Sequence, residues 1–220
     1  MDEMDSRELR KQKVRDAKTK LILDAALEVL SQKGYYETRL EDIAEKAGFS
    51  KSALYRYYQD KEEIFFTIAV QEKFRIITKL TTGPQRLSRD NHISENLRRL
   101  LTISFTAWGD RFSFILAINS FQVMALVSAL HDQGKLMKIK REFLSGESEM
   151  AEMMITMFDN AKEKKEITTS LDSKVLFEFY QGLLFSKVKK WHQQKKMDDV
   201  ATTVEEIMTF MGSGLGIAPA

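Results

Sequence analysis

Apolar residues recur along this chain at spacings of three and four, the period of amphipathic helices. Ile22, Ala25, Ala26, Val29 and Leu30 predict a helix from about Asp16 to Lys33, ended by Gly34. Leu40, Ile43, Ala44 and Ala47 form a second, narrow stripe closed by Gly48, and the Thr38–Glu41 spacing is that of a capping box. Ser50 caps a short third helix from Lys51 to Tyr57, with Ala53, Leu54 and Tyr57 inward and Lys51, Ser52 and Arg56 outward. Asp60, with Glu63 three residues on, opens a fourth helix to about Leu80, ended by Thr81-Thr82-Gly83-Pro84. Its Ile64, Phe65, Ile68 and Ala69 pack on the preceding helices; Phe74 and Ile77 point at the next domain.

A polar loop to about Asn91 precedes five further helices. The first spans about Ser94 to Trp108, and an uncharged one spans Phe112 to Leu130. Gly134 then opens a long one, Lys135 to Lys164. Thr169-Ser170 caps a fourth, from Leu171 or Asp172 to about Gln193, and the last runs from about Asp198 to Met211. The fourth is apolar on two faces, one carrying Leu176, Phe179 and Leu183, the other Phe177, Leu184, Val188 and Trp191. A helix central to its own domain reads this way, and so does one placed between its core and a partner subunit. The expectation is all-α, with about nine helices: residues 1–62 an N-terminal arm and three-helix reader, residues 63–220 a larger helical domain.

Composition narrows the chemistry. With 220 residues the chain holds one or two domains, and a net charge of +2 rules out a uniformly basic nucleic-acid coat. There is no Cys, hence no disulfide or thiol chemistry. His92, His131 and His192 are scattered, without metal-ligand spacing, and neither a phosphate loop nor a nucleophile elbow occurs. No catalytic residue, metal or cofactor is expected, and the start lacks the order of a signal peptide. Residues 1–16 are almost wholly charged: a solvated tail, or a basic arm (Arg7, Arg10, Lys11, Lys13, Arg15) that touches phosphates or enters a minor groove.

Two short helices about a Gly turn, the second crowded with basic and aromatic residues, have the layout of a DNA-reading helix-turn-helix. The stretch resembles the TetR family of bacterial transcriptional regulators, whose pattern runs Thr-Thr-Val-x-x-Ile-Ala-x-x-Ala-Gly-Val-Ser-x-Gly-Thr-Leu-Tyr-x-Tyr-Phe-x-x-Lys. Thr38, Ile43, Ala44, Ala47, Gly48, Ser50, Leu54, Tyr55, Tyr57 and Lys61 match; Arg39, Phe49, Ser52-Ala53 and Tyr58 depart from it. The resemblance implies phosphate contacts from Tyr55, Tyr57 and Lys61, with Thr38 and Arg39 beside them. Lys51, Ser52, Ala53 and Arg56 can present atoms to base edges or backbone. For Tyr55 and Tyr57 core packing is the competing reading. Lys61, a cation in a first helical turn, opposes the helix dipole and suits a docked phosphate.

The resemblance also implies a ligand cavity in the larger domain and a homodimer built on the last two helices. Phe105, Phe112, Met150, Met154, Met157 and Phe177 are candidates for an apolar lining, and Trp108, Asn119, Gln122 and Tyr180 for polar contacts; ordinary core packing competes for each. Leu183, Leu184, Val188, Trp191, Val204, Ile207, Met208 and Met211 are the candidate dimer residues. The function read is a ligand-responsive, cytoplasmic, dimeric repressor that binds a pseudo-palindromic double-stranded DNA operator and is released by a largely apolar small molecule. Two other readings compete. One is a non-responsive architectural DNA-binding protein. The other is a membrane-associated sensor built on Phe112–Leu130, where Asn119, Ser120 and Gln122 would be costly in hydrocarbon.

Overall fold

A computed structural model describes residues 2–109, 111–119 and 134–217. The described residues form nine α-helices: α1 Asp2–Glu37, α2 Leu40–Ala47, α3 Lys51–Leu54, α4 Lys61–Thr81, α5 Ile93–Trp108, α6 Phe112–Ile118, α7 Lys135–Glu163, α8 Ser173–Gln194 and α9 Val200–Leu215. One isolated antiparallel bridge, Ile167 to Ile217, ties the α7–α8 connection to the end of α9. The all-α expectation is met.

The N-terminal segment departs from its sequence reading. Residues 2–16 continue α1 without interruption, and the described side chains from Ser6 to Asp16 are exposed. The charged run alternates good helix formers, so it extends the helix that Ile22 onward anchors. Gly34, at φ +80°, breaks α1 as expected. Two caps also move. Arg39, not Thr38, precedes α2, and its N–H donates to Asp42 Oδ2 at 2.9 Å. Thr38 Oγ1 instead donates to the Gly34 carbonyl at 2.6 Å, because the side chain is enclosed beneath the α1–α2 turn. Asp172, not Thr169-Ser170, caps α8, accepting from the Lys174 N–H at 2.8 Å.

One continuous core joins everything. α1 packs on α2, α4 and α6; α4 packs on α5 and α7; α8 lies against α6 and α7, and α9 covers α5. An edge-to-face aromatic chain runs from Tyr35 through Phe65 to Phe114, and Phe66 meets Phe143. Trp191, fully buried, stacks tilted or edge-on against Phe105 and Phe112. α4 is therefore a shared wall: Phe65 meets Tyr35 of α1, while Phe66 in the same turn meets Phe143 of α7. Of the Phe112–Leu130 segment, the structure describes the helix Phe112–Ile118; no described helix is long and apolar enough to cross a membrane.

Candidate nucleic-acid interface and effector cleft

The reader is held by its apolar side. Ile43 and Ala44 of α2 and Leu54 of α3 are buried against Ile22, Ala26, Val29 and Leu30 of α1. Gly48, at φ +71°, lets the chain reverse between α2 and α3, with Phe49 N–H returning to the Ala44 carbonyl at 2.8 Å. Ser50 Oγ accepts from the Ala53 N–H at 3.2 Å and starts α3. Tyr58, where the related pattern has Phe, is buried; burial and the neighbouring Glu63 push its phenol well above the usual range.

This anchoring leaves Lys51, Ser52, Tyr55 and Arg56 exposed together, with Arg39 exposed before α2. Tyr57 is half-buried with its ring edge-on to Phe49, centroids 6.1 Å apart, so it packs and also reaches the surface. Ala53 is half-buried. Lys51 pairs with Glu41 of α2, a contact that raises the amine and lowers the carboxyl from their ordinary values.

Two expected phosphate contacts sit differently. Thr38 is buried with its hydroxyl already donated, so its side chain does not face outward. Lys61 folds back: its ammonium donates to the carbonyls of Tyr35 at 2.6 Å and Thr38 at 2.9 Å and lies 4.4 Å from the Tyr35 ring centre. Burial holds its pKa below the ordinary value. Two of its three donor directions therefore fasten α4 to the α1–α2 turn. The first-turn cation that the sequence reading assigned to a docked phosphate is balanced by main-chain carbonyls. Tyr35, enclosed at this junction near Glu62 and Asp60, is pushed up to about 12 by burial first and those carboxylates second.

Sequence reasoning missed the fastening on the other side of the junction. Lys140 of α7 is buried, its Nζ 2.5 Å from Glu62 Oε1 and 5.0 Å from the Phe66 ring centre. Lys135 pairs with the buried Glu63 and lies 5.1 Å from the Tyr58 ring. Glu63 Oε2 in turn accepts from the Gln59 N–H at 2.8 Å. The signal was available as basic positions in the first turns of a long helix, but no periodicity links residues 78 apart.

The larger domain contains a cleft walled by α4, α5, α6, α7 and α8, with a free volume of about 100 Å³. Of the predicted lining, Trp108, Asn119, Met150, Phe177 and Tyr180 border it, alongside Ile76, Ile115 and Leu184. Lys73, paired with Glu147, and the exposed Gln181 stand at its edge. The buried Tyr180 hydroxyl points toward Ser104 without closing a full hydrogen bond, and burial raises its pKa. Phe105, Phe112 and Met154 do not line the cleft: Phe105 and Phe112 are packed around Trp191, and Met154 is buried in the core. Met157 borders a separate open groove beside Arg89 and Lys164. Gln122 lies outside the described residues.

The expected dimer residues are also redistributed. Leu184, Val188, Trp191, Val204, Ile207, Met208 and Met211 are buried within the chain's own core; Leu183 alone of the set is half-exposed. The rows of α8 and α9 that face outward carry Phe179 (59% exposed) and Phe210 (65% exposed) instead. They flank an apolar groove with Leu171, Gly182, Leu183 and Gly214. Among the described residues no cluster of three or more His, Cys, Asp and Glu is placed to hold a metal ion.

Residues 22–68 match the sequence profile of "Bacterial regulatory proteins, tetR family". Over 194 residues the chain is 20% identical to the fatty acid metabolism regulator protein of Bacillus subtilis, covering 88% of this chain and 93% of that protein. Its fold is similar to that of the fatty acid degradation regulator FadR from Bacillus halodurans. The TM-score is 0.70 at 20% identity, with 91% of this chain and 97% of that one covered. It is also similar to FadR from Bacillus subtilis in complex with stearoyl-CoA, with a TM-score of 0.60 at 19% identity over 88% and 97% of the two chains.

Proposed function

We propose that this chain, a member of the TetR family of bacterial regulatory proteins by the match of residues 22–68, is a dimeric DNA-binding repressor released by a long-chain acyl thioester. Each subunit lays the exposed face of α3 in a major groove, and two readers address the halves of a pseudo-palindrome. Lys51, Ser52 and Arg56 meet base edges or backbone, while Tyr55, Tyr57 and Arg39 hold phosphates. Two-fold pairing of α8 and α9 through Phe179, Leu183 and Phe210 sets the spacing, with Gly182 and Gly214 allowing close backbone approach.

The observation that carries the effector reading is the cleft between α4 and α7. Most of its lining is apolar, and its polar groups are Glu72, Lys73, Ser104, Asn119, Glu147, Tyr180 and Gln181. A slender acyl chain suits such a wall, and the related regulator crystallised with stearoyl-CoA supports that class. Filling the cleft separates α4 from α7, and α4 begins where the reader ends. The switch requires the effector to bind one reader spacing more tightly than the other.

The test is DNA binding by fluorescence anisotropy, with palmitoyl-CoA, palmitate or coenzyme A added. Palmitoyl-CoA should weaken binding at least tenfold and coenzyme A should not. Unchanged affinity with every addition would favour the architectural reading, which needs the same reader and no effector.

A further inference from the structure

The first half of α1 carries the chain's whole excess of positive charge. Residues 6–20 hold seven basic side chains (Arg7, Arg10, Lys11, Lys13, Arg15, Lys18, Lys20) against Glu8 and Asp16, a net charge of +5. Residues 1–5 contribute −3, so residues 21–220 sum to zero within the total of +2. The helix-turn-helix itself is modestly charged, and two of its cations are already paired, Lys51 with Glu41 and Lys46 with Glu28.

The charge is ordered. Arg7, Lys11, Arg15 and Lys18 stand at i, i+4, i+8 and i+11, one stripe of a continuous helix. Continued at the same period, that stripe becomes Ile22, Ala25, Ala26 and Val29, the face that buries itself against the rest of the N-terminal helices. Glu8 and Asp16 lie off to one side of it, Glu8 3.5 Å from Lys11 at a fully hydrated surface. The helix has a direction as well. Lys33 pairs with Asp42 and Glu28 with Lys46, so α2 runs antiparallel along the second half of α1. The first half therefore projects past the end of α2, beyond the turn that feeds α3. From Arg7 to Lys18 the stripe covers about 17 Å, the axial rise of about five phosphates of one DNA strand.

We infer that this stripe is a second DNA-binding element, a rigid basic helix that lies on the phosphate backbone flanking the base pairs read by α3. It precedes residues 22–68, the span that the family profile matches. Its contribution is independent of sequence, enlarges the footprint outside each half-site and steepens the salt dependence of binding. The inference rests on the DNA-binding reading of α3.

The experiment compares the full chain with R7Q/K11Q/R15Q/K18Q, whose glutamines keep the helix, and with K13Q/K20Q, which removes charge from the opposite face. Affinity is measured against salt on two duplexes with the same central operator, one trimmed to it and one extended by about ten base pairs on each side. On the long duplex the stripe variant should lose three to four units of log–log slope per subunit, at about 0.9 per phosphate. K13Q/K20Q should lose less than one, and all three proteins should bind the short duplex with the same slope. An unchanged slope on the long duplex overturns the proposal. So does an equal loss on both duplexes, or an equal loss from the opposite face, since either makes the charge diffuse. If the unaltered protein binds neither duplex, the DNA-binding assignment of α3 fails instead.

Discussion

Lys140 Nζ lies 2.5 Å from Glu62 Oε1, joining a buried side chain in the second turn of α7 to the first turn of α4, directly behind the reader. A lone buried ammonium is costly, and Lys140 is tolerated because Glu62 and the Phe66 ring face it. Lys140→Met should destabilise the fold by about 2–3 kcal/mol, less than a fully buried pair because Glu62 retains some solvent. The double variant Lys140→Met/Glu62→Leu should recover most of that loss. Urea denaturation across the four-member cycle measures the coupling; additive losses would mean that the two groups do not interact.

Lys61 gives a second prediction. Its ammonium holds two carbonyls, so Lys61→Met should lower stability by about 1–2 kcal/mol after allowance for partial exposure, because both carbonyls can rehydrate. Its effect on the salt slope of DNA binding should be well below one unit. Arg56→Gln, at an exposed site on α3, should instead leave the melting temperature alone and reduce affinity. A full-unit slope loss at Lys61 would return it to the phosphate contacts.

The outward face of α8 and α9 separates association from folding. Phe179→Asp and Phe210→Asp place charge on exposed positions and should yield folded monomers by sedimentation equilibrium. Val188→Asp, on the buried face, should abolish the folded state because the carboxylate has no water. A Phe179→Asp/Phe210→Asp protein that remains dimeric would move the interface elsewhere.

His192 contributes a pH dependence. Its Nδ1 lies 3.1 Å from Ser113 Oγ, and burial, followed by the Lys195 charge, lowers its pKa below the ordinary 6.5. A base with a lowered folded-state pKa is neutral in the fold and protonates more readily in the unfolded chain. Its penalty is absent above about pH 6.5 and grows as pH falls below that value. His192→Gln should flatten this part of the stability profile, as read by thermal melts between about pH 7.5 and 5.5.

The parts of the fold that repeat locally were legible in the chain. Leu40, Ile43 and Ala44 with Gly48 placed α2 and its turn; Asp60 and Glu63 placed the start of α4, and Asp60 Oδ1 does accept the Glu63 N–H at 2.8 Å. Where two helix faces were both apolar, spacing did not say which was inside. On α8 the row with Trp191 went into the core and Phe179 stayed out, because packing against Phe105 and Phe112 on distant helices decided it. The surroundings of Thr38 and Lys61 were not legible for a related reason: their partners are main-chain carbonyls presented by a turn, and a carbonyl has no signature in a residue pattern. The exposed reader face of Lys51, Ser52, Tyr55 and Arg56 was within reach because α3 is short and its apolar anchors are adjacent in sequence.

The narrowness of the cleft sets how strongly any effector can act. Drug-sized ligands occupy about 300–1,000 Å³, several times the room between Met150, Phe177 and Ile115. An effector of that size first does work against helix packing, so its measured dissociation constant understates its contact with the open form. Under the proposed mechanism that work is also the signal. A small apolar molecule that slips into the closed space binds without prying the helices apart and changes nothing at the operator, however tightly it is held. Across a series of acyl chains, regulatory power should thus follow chain bulk and part company with affinity.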